Sequence, residues 1–232
     1  YVPSPFKQEK RCILTGRDVS SRYIRRGYEE YHKIASYIAR TVWARKGNYM
    51  VFFPSYKFME DVLEVYENEF SVDWVRCIAQ TSGMHEQEKE EFIEEFSTSE
   101  GTLVGFCVMG GVFSEGIDLT HDRLIGVIVV GTGIPQVCND REIVKNYFDQ
   151  RGMRGFDYAY LYPGMNKVLQ AAGRVIRTAE DVGIIVLLDE RFRQYSYRRM
   201  FPREWEQVVP VTVDTVAKKV ERFWDAWLWQ QR

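Results

Sequence analysis

The chain has 232 residues, of which 45% are apolar and 15% aromatic, which is enough to form a packed globular core. Its formal net charge of -2 excludes a general attraction to nucleic acid or to an anionic membrane, so a polyanion site has to be a local basic patch. The sequence has no apolar run of about 18 residues and no signal-peptide pattern, so we expect an intracellular protein with no membrane partner. The four cysteines lie far apart without a CxxC pair, which argues against a metal site and predicts free thiols.

Hydrophobic periodicity predicts strands that alternate with helices along the chain. Residues 1–18 predict only an extended lead-in, and Ser20 or Ser21 is a candidate cap for a long helix that ends near Arg45. Asp157 to Leu161 is a candidate strand. The other predicted strands are Tyr49–Phe53, Val75–Ala79, Thr102–Val108, Leu124–Val130 and Ile184–Leu188, and the other predicted helices are Lys57–Glu67, His85–Phe96, Asn139–Gln150, Met165–Arg177 and a tail from Asp214.

This alternation predicts an α/β fold with a mostly parallel sheet sandwiched between helices. The tail repeats apolar residues at helical spacing, among them Val216, Val220 and Trp224. Such a stripe favours a helix packed on the core over a cofactor-binding surface. We therefore predict one α/β domain with added helices at its two ends.

The helix predicted at Met165–Arg177 has two different faces. At 100° per residue its apolar side chains share one arc, and the other arc collects Gln170, Gly173, Arg174 and Arg177. Two guanidinium groups next to a buried strand suggest an anion site, most plausibly for phosphate. The alternative is that the arginines form surface salt bridges with Glu180 or Asp181.

The sequence lacks a complete nucleotide site of its own. It has no GxxxxGK[ST] loop and no obvious Asp-Glu pair after a buried strand to hold Mg²⁺. Gly131-Thr132-Gly133 resembles a dinucleotide-binding fingerprint only weakly. A catalytic triad of Ser114, His121 and Asp118 is not supported, because the sequence has no nucleophile-elbow pattern. Phosphate-binding arginines without a phosphate loop suggest half of a composite ATPase.

Three stretches in order resemble helicase motifs. QAAGRVIR (Gln170–Arg177) resembles motif VI of superfamily 2 helicases, GGVFSEGIDL (Gly110–Leu119) resembles motif V, and FFPSY (Phe52–Tyr56) resembles motif IV of the DinG/XPD branch. The resemblance implies that residues 1–205 form the second RecA-like motor domain of such a helicase, without a P-loop, and that 206–232 add a helix packed on it.

The resemblance also implies an activity and its partners. The complete protein would be an ATP-dependent DNA helicase that moves 5′ to 3′ and serves DNA repair or recombination, whereas this chain alone would be inactive. ATP and Mg²⁺ would be bound mainly by the missing N-terminal motor domain, which in this family usually also carries an iron–sulfur cluster. We expect a monomer that binds single-stranded DNA in the cytoplasm, or in the nucleoid or nucleus, wherever the DNA is.

The same resemblance implies roles at the nucleotide. Arg174 and Arg177 would reach the β- and γ-phosphates across the interdomain cleft, so both should be solvent-facing in this chain. Gln170 would orient a phosphate or water, and Gly173 would allow close approach. Gly116 and Asp118 of motif V would line the cleft, although Asp118 could instead cap a turn.

Other motif residues would contact DNA. The candidates are Ser55 and Tyr56 of motif IV and Ser114 of motif V. The alternative is that Ser55 is only a helix cap and Tyr56 a core aromatic. Arginines around Arg22 and Arg191 could form DNA-facing patches or solvated helix faces.

Two competing functions stay open. One is a non-enzymatic RecA-like module that binds nucleic acid or a partner protein, and the other is an RNA-directed relative of the same superfamily.

Overall fold

The computed structural model describes residues 7–111, 113, 123–176 and 178–230. Within those residues seven strands form one sheet in the order β3-β4-β2-β5-β6-β1-β7, and every neighbouring pair is parallel. The strands are β1 (Arg11–Gly16), β2 (Tyr49–Phe53), β3 (Val75–Ala79), β4 (Thr102–Val108), β5 (Gly126–Val130), β6 (Gly183–Leu188) and β7 (Val208–Val211). The prediction of a mostly parallel sheet is confirmed.

Helices cover both faces of this sheet. They are α1 (Tyr28–Ala44), α2 (Tyr56–Glu69), α3 (Glu86–Thr98), α4 (Asn139–Asp149), α5 (Tyr162–Ala172), α6 (Tyr195–Arg198) and α7 (Val216–Gln230). Because side chains alternate along a strand, Val51 and Phe53 of β2 pack in the core with α1, α2 and α7, whereas Met50 and Phe52 pack in the core with α3 and α5. Two cores therefore flank the sheet.

The central strands were predicted from their apolar runs. Every residue of β2, β4, β5 and β6 is buried, as expected for parallel strands that are covered on both faces. The predictions for β2, β3 and β4 are confirmed to the residue, while β5 begins at Gly126 rather than at Leu124.

The lead-in contains a strand that the sequence did not indicate. β1 lies inside the sheet, between β6 and β7, with Arg11 opposite Gly183 and Ile13 opposite Val208. Its sequence, RCILTG, has few consecutive apolar residues, so its strand signal is weak. Tertiary pairing on both sides makes it a strand.

The predicted cap of α1 was wrong. The helix begins at Tyr28 after Gly27, and a short 3₁₀ turn at Tyr23–Arg25 precedes it. Ser21 lies well before this start, and its hydroxyl donates to the distant Asp189 and accepts from the Arg191 guanidinium at 3.0 Å. Tyr28, the first residue of the helix, is 61% exposed.

The candidate strand at Asp157–Leu161 was also wrong. The segment is a π-helical turn that leads directly into α5. It packs on α4, where the Phe148 ring stacks on Tyr158 at 4.1 Å and the Tyr160 hydroxyl donates to Glu142 at 2.6 Å. These contacts between α4 and the turn favour a helical backbone at Asp157–Leu161.

The C-terminal helix packs on the core as its apolar stripe predicted. Val216, Val220 and Trp224 of α7 are buried in the same core as α1. Of the helices that the structure describes, none is long and apolar enough to cross a membrane.

Candidate functional site

Helix α5 connects the two edges of the sheet. At its start, a Cβ on Gly164 would lie only 2.8 Å from the carbonyl oxygen of Thr132, which follows the carboxyl end of β5. Beyond its other end, Val175 contacts Gly183, the first residue of β6, where an added Cβ would lie 2.4 Å from the valine Cγ2. The helix therefore begins at the carboxyl edge of the sheet and ends at the amino edge.

The motif VI residues lie where α5 ends. The helix stops at Ala172 and not at Arg177, because the chain turns at Gly173. Gln170 and Gly173 are exposed, and the amide of Arg174 donates to the Ala171 carbonyl at 3.2 Å. Since the helix has ended, Arg174 does not continue the polar arc. It is 7% exposed, so the expectation that this arginine faces solvent was wrong.

The motif IV residues lie at the opposite edge. The Ser55 hydroxyl caps α2 by accepting a hydrogen bond from the Phe58 amide at 3.4 Å. The Tyr56 hydroxyl accepts from Nε2 of Gln80 at 2.9 Å, and Oε1 of Gln80 accepts from the Val108 amide at 2.9 Å. Both residues thus have structural roles, and their contact with DNA stays a prediction.

A cleft opens beside Ser55 at the carboxyl edge, and we call it the carboxyl-edge cleft. It has a volume of about 230 Å³. Two cationic side chains, Arg26 and Lys167, line it. The other lining residues are Pro54, Ser55, Met109, Gly133, Ile134, Pro135 and Gln136.

A buried ionic network, which we call the Asp189 network, lies at the same edge. Asp189 accepts from the Ser21 amide at 2.8 Å and from the Ser21 hydroxyl at 2.6 Å. It also accepts from Nε of Arg191 at 2.8 Å and from the guanidinium NH2 at 2.9 Å. Burial raises the pKa of Asp189, but the Arg191 and Ser21 contacts outweigh burial, so the pKa lies below its usual value.

The structure separates the predicted site residues into two groups. Gln170, Gly173 and Arg174 lie at the amino edge, and Ser55 and Tyr56 lie at the carboxyl edge. Ser114, Gly116, Asp118 and Arg177 lie outside the described residues.

Several polar residues of the carboxyl edge were not predicted from the sequence. Gln80 directly follows β3 and Asp189 directly follows β6. A polar residue just after a buried parallel strand was the available signal, because the carboxyl ends of parallel strands meet at one edge. Lys167 carried no such signal, since its place depends on how α5 packs.

Thiol and metal chemistry have no visible centre in the described part of the chain. All four cysteines are free, and burial raises the pKa of Cys12 to about 11 and of Cys77 to about 12, so both are protonated at neutral pH. Among the described residues no group of three or more His, Cys, Asp or Glu side chains is placed to share a metal ion.

Comparison with known proteins defines the class. The family described as the helicase C-terminal domain matches residues 38–208, well over half of the chain. The chain belongs to this family, and its α/β sheet is of the RecA-like type.

Individual relatives point to one branch. A probable ATP-dependent helicase of Methanocaldococcus jannaschii is 25% identical over 96% of this chain and 35% of its own length. The ATP-dependent DNA helicase XPD of Sulfolobus acidocaldarius is 26% identical over 81% of this chain and 33% of its own length. The regulator of telomere elongation helicase 1 of Mus musculus is 30% identical over 81% of this chain and 17% of its own length.

Solved structures agree on the fold. A structure of apo XPD matches with a TM-score of 0.69 at 21% identity, over 86% of this chain and 39% of that chain. Xpd4 of S. tokodaii matches with a TM-score of 0.62 at 17% identity, over 88% of this chain and 39% of that chain. The chain is a DinG/XPD-like superfamily 2 helicase C-terminal domain, and it spans about a third or less of the length of these curated relatives.

Proposed function

We propose that this chain is the second motor domain of an ATP-dependent DNA helicase that moves 5′ to 3′ along single-stranded DNA. It works next to a first motor domain that carries the Walker motifs and binds most of the ATP and its Mg²⁺. Residues 1–205 make up most of the motor domain, and 206–232 complete it with the edge strand β7 and the packed helix α7. The protein acts as a monomer.

One observation supports the proposal most directly. Within the matched family region, the described motif VI residues, Gln170, Gly173 and Arg174, lie at the amino edge of the sheet, and the motif IV residues lie at the carboxyl edge. A motor domain needs two separate surfaces, one for the nucleotide and one for the strand it moves. Coupling between them requires a rigid element, and α5 runs from one edge to the other.

At the nucleotide surface the arginines stabilise the negative charge that develops on the transferred phosphoryl group. Arg174 and Arg177 donate to the β- and γ-phosphates of ATP held by the other motor domain, and a permanently ionised planar donor suits this role. Gln170 orients a phosphate or water. Gly116 and Asp118 line the cleft, and Gly173 keeps the approach open.

At the strand surface Ser55, Tyr56 and Ser114 contact the DNA backbone. Ser55 and Tyr56 already hold their positions through the α2 cap and the Gln80 hydrogen bond, so strand binding needs little reorganisation.

The deciding experiment is an Arg174→Ala substitution in the polypeptide that joins this domain to its first motor domain. We expect single-stranded-DNA-stimulated ATP turnover to fall about 10³-fold or more, while ATP affinity stays within about tenfold. Arg222→Ala, which removes an exposed arginine of α7, serves as the matched control and leaves turnover unchanged.

Because Arg174 is buried, the unfolding midpoint of each variant is measured in parallel. Arg174→Lys keeps the charge and should still lose turnover, since an ammonium does not reproduce the planar fork. Undiminished turnover in both folded variants refutes the assigned role and favours a non-enzymatic RecA-like module.

A further inference from the structure

Two large apolar side chains stand out at the start of α1. Tyr23 is 83% exposed and Ile24 is 86% exposed, and both belong to the 3₁₀ turn Tyr23–Arg25. Exposure of a single apolar residue is ordinary, but two adjacent ones on a short turn cost solvation free energy without contributing to a core. The turn therefore merits a functional explanation.

Hydrogen bonds hold the residues on both sides of the turn. The preceding Ser20 amide donates to Oε1 of the buried Glu30 at 3.3 Å, and Ser21 is held by Asp189 through its amide and its hydroxyl. On the other side, Nε of Arg26 donates to the Ser21 carbonyl at 3.3 Å. Tyr23 is thus presented to solvent by an ordered backbone, which lowers the entropy that a ligand has to remove.

One cationic group lies beside the exposed ring, and a second lines the cleft that the first one borders. The Arg26 guanidinium lies 5.6 Å from the centre of the Tyr23 ring and 4.2 Å from that of Phe58, and it also lines the carboxyl-edge cleft. Lys167 lines the same cleft, and its side chain crosses Gly110, where an added Cβ would lie 3.0 Å from the lysine Cε.

The carboxylates of this region are largely matched by cations. Glu30 lies 3.5 Å from Arg25 and from Lys33, Glu190 lies 3.7 Å from Arg22, and Asp189 is bound by Arg191. The surface beside Tyr23 therefore offers an aromatic face next to positive charge, which is complementary to a base and its phosphates.

We propose that Tyr23 is a stacking platform for one base of single-stranded DNA, and that Arg26 and Lys167 bind the adjacent phosphates in the carboxyl-edge cleft. The inference deepens the proposed function by placing the strand on this edge, and it rests on that function for the identity of the ligand. Every base has a π-face, so the contact is independent of sequence, as a motor requires. Ile24 packs against the edge of the stacked base.

The test compares two ligands of the 232-residue chain by fluorescence anisotropy. One is a labelled oligo(dT) of about 12 nucleotides, and the other is an abasic deoxyribose-phosphate oligomer of equal length. Tyr23→Ala is expected to weaken oligo(dT) binding about 5- to 150-fold and to leave the abasic oligomer unaffected. Tyr23→Phe retains the wild-type affinity, because the ring does the stacking.

The cation variants separate phosphate binding from stacking. Arg26→Ala and Lys167→Ala should each weaken both ligands alike and reduce the salt slope of binding by about 1. Trp229→Ala removes another aromatic side chain, 77% exposed on α7, and serves as the matched control with unchanged affinity.

Three outcomes overturn the inference: no binding of oligo(dT) by the wild-type chain, equal loss of both ligands in Tyr23→Ala, or an equal loss in Trp229→Ala. A parallel arm with oligo(U) tells whether the platform also accepts RNA, and tighter binding of oligo(U) than of oligo(dT) counts against the assignment to DNA. None of these measurements uses ATP, so a failure here is distinct from a failure of the Arg174 test.

Discussion

At the scale of single residues, Asp189 has the most demanding environment in the described chain. Its side chain is fully buried, and its partners are the neighbouring Arg191 and Ser21, which lies 168 positions earlier in the sequence. Removing one partner of a buried ion pair leaves the other charge uncompensated. The network therefore ties the start of the chain to the end of β6.

We predict that Asp189→Asn lowers the free energy of unfolding by about 3–5 kcal/mol, because Arg191, whose side chain is only 17% exposed, then loses its counter-charge. Urea denaturation followed by circular dichroism measures this change. Asp214→Asn is the matched control, since Asp214 pairs with Arg40 at 3.2 Å but is 78% exposed, and its loss should cost less than about 1 kcal/mol. Equal effects of the two variants would contradict the prediction.

The same carboxylate predicts a pH dependence. Its pKa in the folded chain lies below the ordinary value, although burial acts in the opposite direction, because the Arg191 and Ser21 contacts prevail. The stabilisation is therefore complete above the unfolded pKa of about 3.9 and disappears as the pH falls through the lower folded pKa. The stability difference between wild type and Asp189→Asn should be constant from about pH 7 to pH 5 and shrink below about pH 4 in urea titrations. A difference that grows on acidification would show the opposite sign.

At the scale of elements, the junction of β5 and α5 depends on close backbone contact. Gly133 has a positive φ of 64°, and an added Cβ would lie 2.5 Å from the carbonyl oxygen of Gly164. The glycines that resembled a weak dinucleotide fingerprint in the sequence serve this approach of two backbones. The contact fixes where α5 starts, and thereby where the motif VI residues lie at its other end.

We predict that Gly133→Ala destabilises the fold by about 1–3 kcal/mol more than Gly83→Ala, because overpacking adds to backbone strain. Gly83 has a similar φ of 81°, but nothing lies within 4 Å of an added Cβ, so its variant reports the strain alone. Thermal unfolding of the two variants measures the difference, and equal midpoints would mean that the backbones separate without cost.

The docking of α7 is a second test at this scale. Trp224 is 6% exposed, and its ring lies 5.3 Å from the Arg45 guanidinium at the end of α1. We predict that Trp224→Ala costs about 3–5 kcal/mol of stability, whereas Trp229→Ala stays within about 0.5 kcal/mol. Chemical denaturation separates the two, and a small effect of Trp224→Ala would show that α7 is dispensable for the core.

At the scale of the whole molecule, the chain has two candidate ligand surfaces and no phosphate loop. The sequence contains no GxxxxGK[ST], so the purified 232-residue chain should hydrolyse ATP no faster than a buffer control, with or without single-stranded DNA. A coupled phosphate-release assay measures this, with the joined two-domain polypeptide as the positive control. ATP turnover by the chain alone at a rate typical of helicases would overturn the proposal that the first motor domain supplies the phosphate loop.

Much of the architecture could be predicted from the chain itself. The runs YMVFF and GIIVLL have no polar interruption, and such runs fit strands that are covered on both faces. β1 escaped prediction because its identity as a strand depends on pairing with β6 and β7, which no local pattern encodes. The same holds for Asp157–Leu161, whose helical form depends on contacts with α4.

The candidate site was likewise predictable only in part. Motif order determined the family, because the spacing of QAAGRVIR and FFPSY is a property of the chain alone. The exposure of Arg174 did not follow from a helical wheel, since the helix ends before that residue.

The central strands, most of the helices and the family follow from the sequence alone, because hydrophobic period and motif spacing are local and linear. Only the tertiary structure decided that the motif VI residues and the motif IV residues lie at opposite edges of the sheet, and that Ser21, Asp189 and Arg191 form one network. The cause is that a buried carboxylate needs several donors, and folding brings Ser21 to Asp189 from 168 positions away along the chain, whereas the counter-charge Arg191 is a near neighbour in sequence.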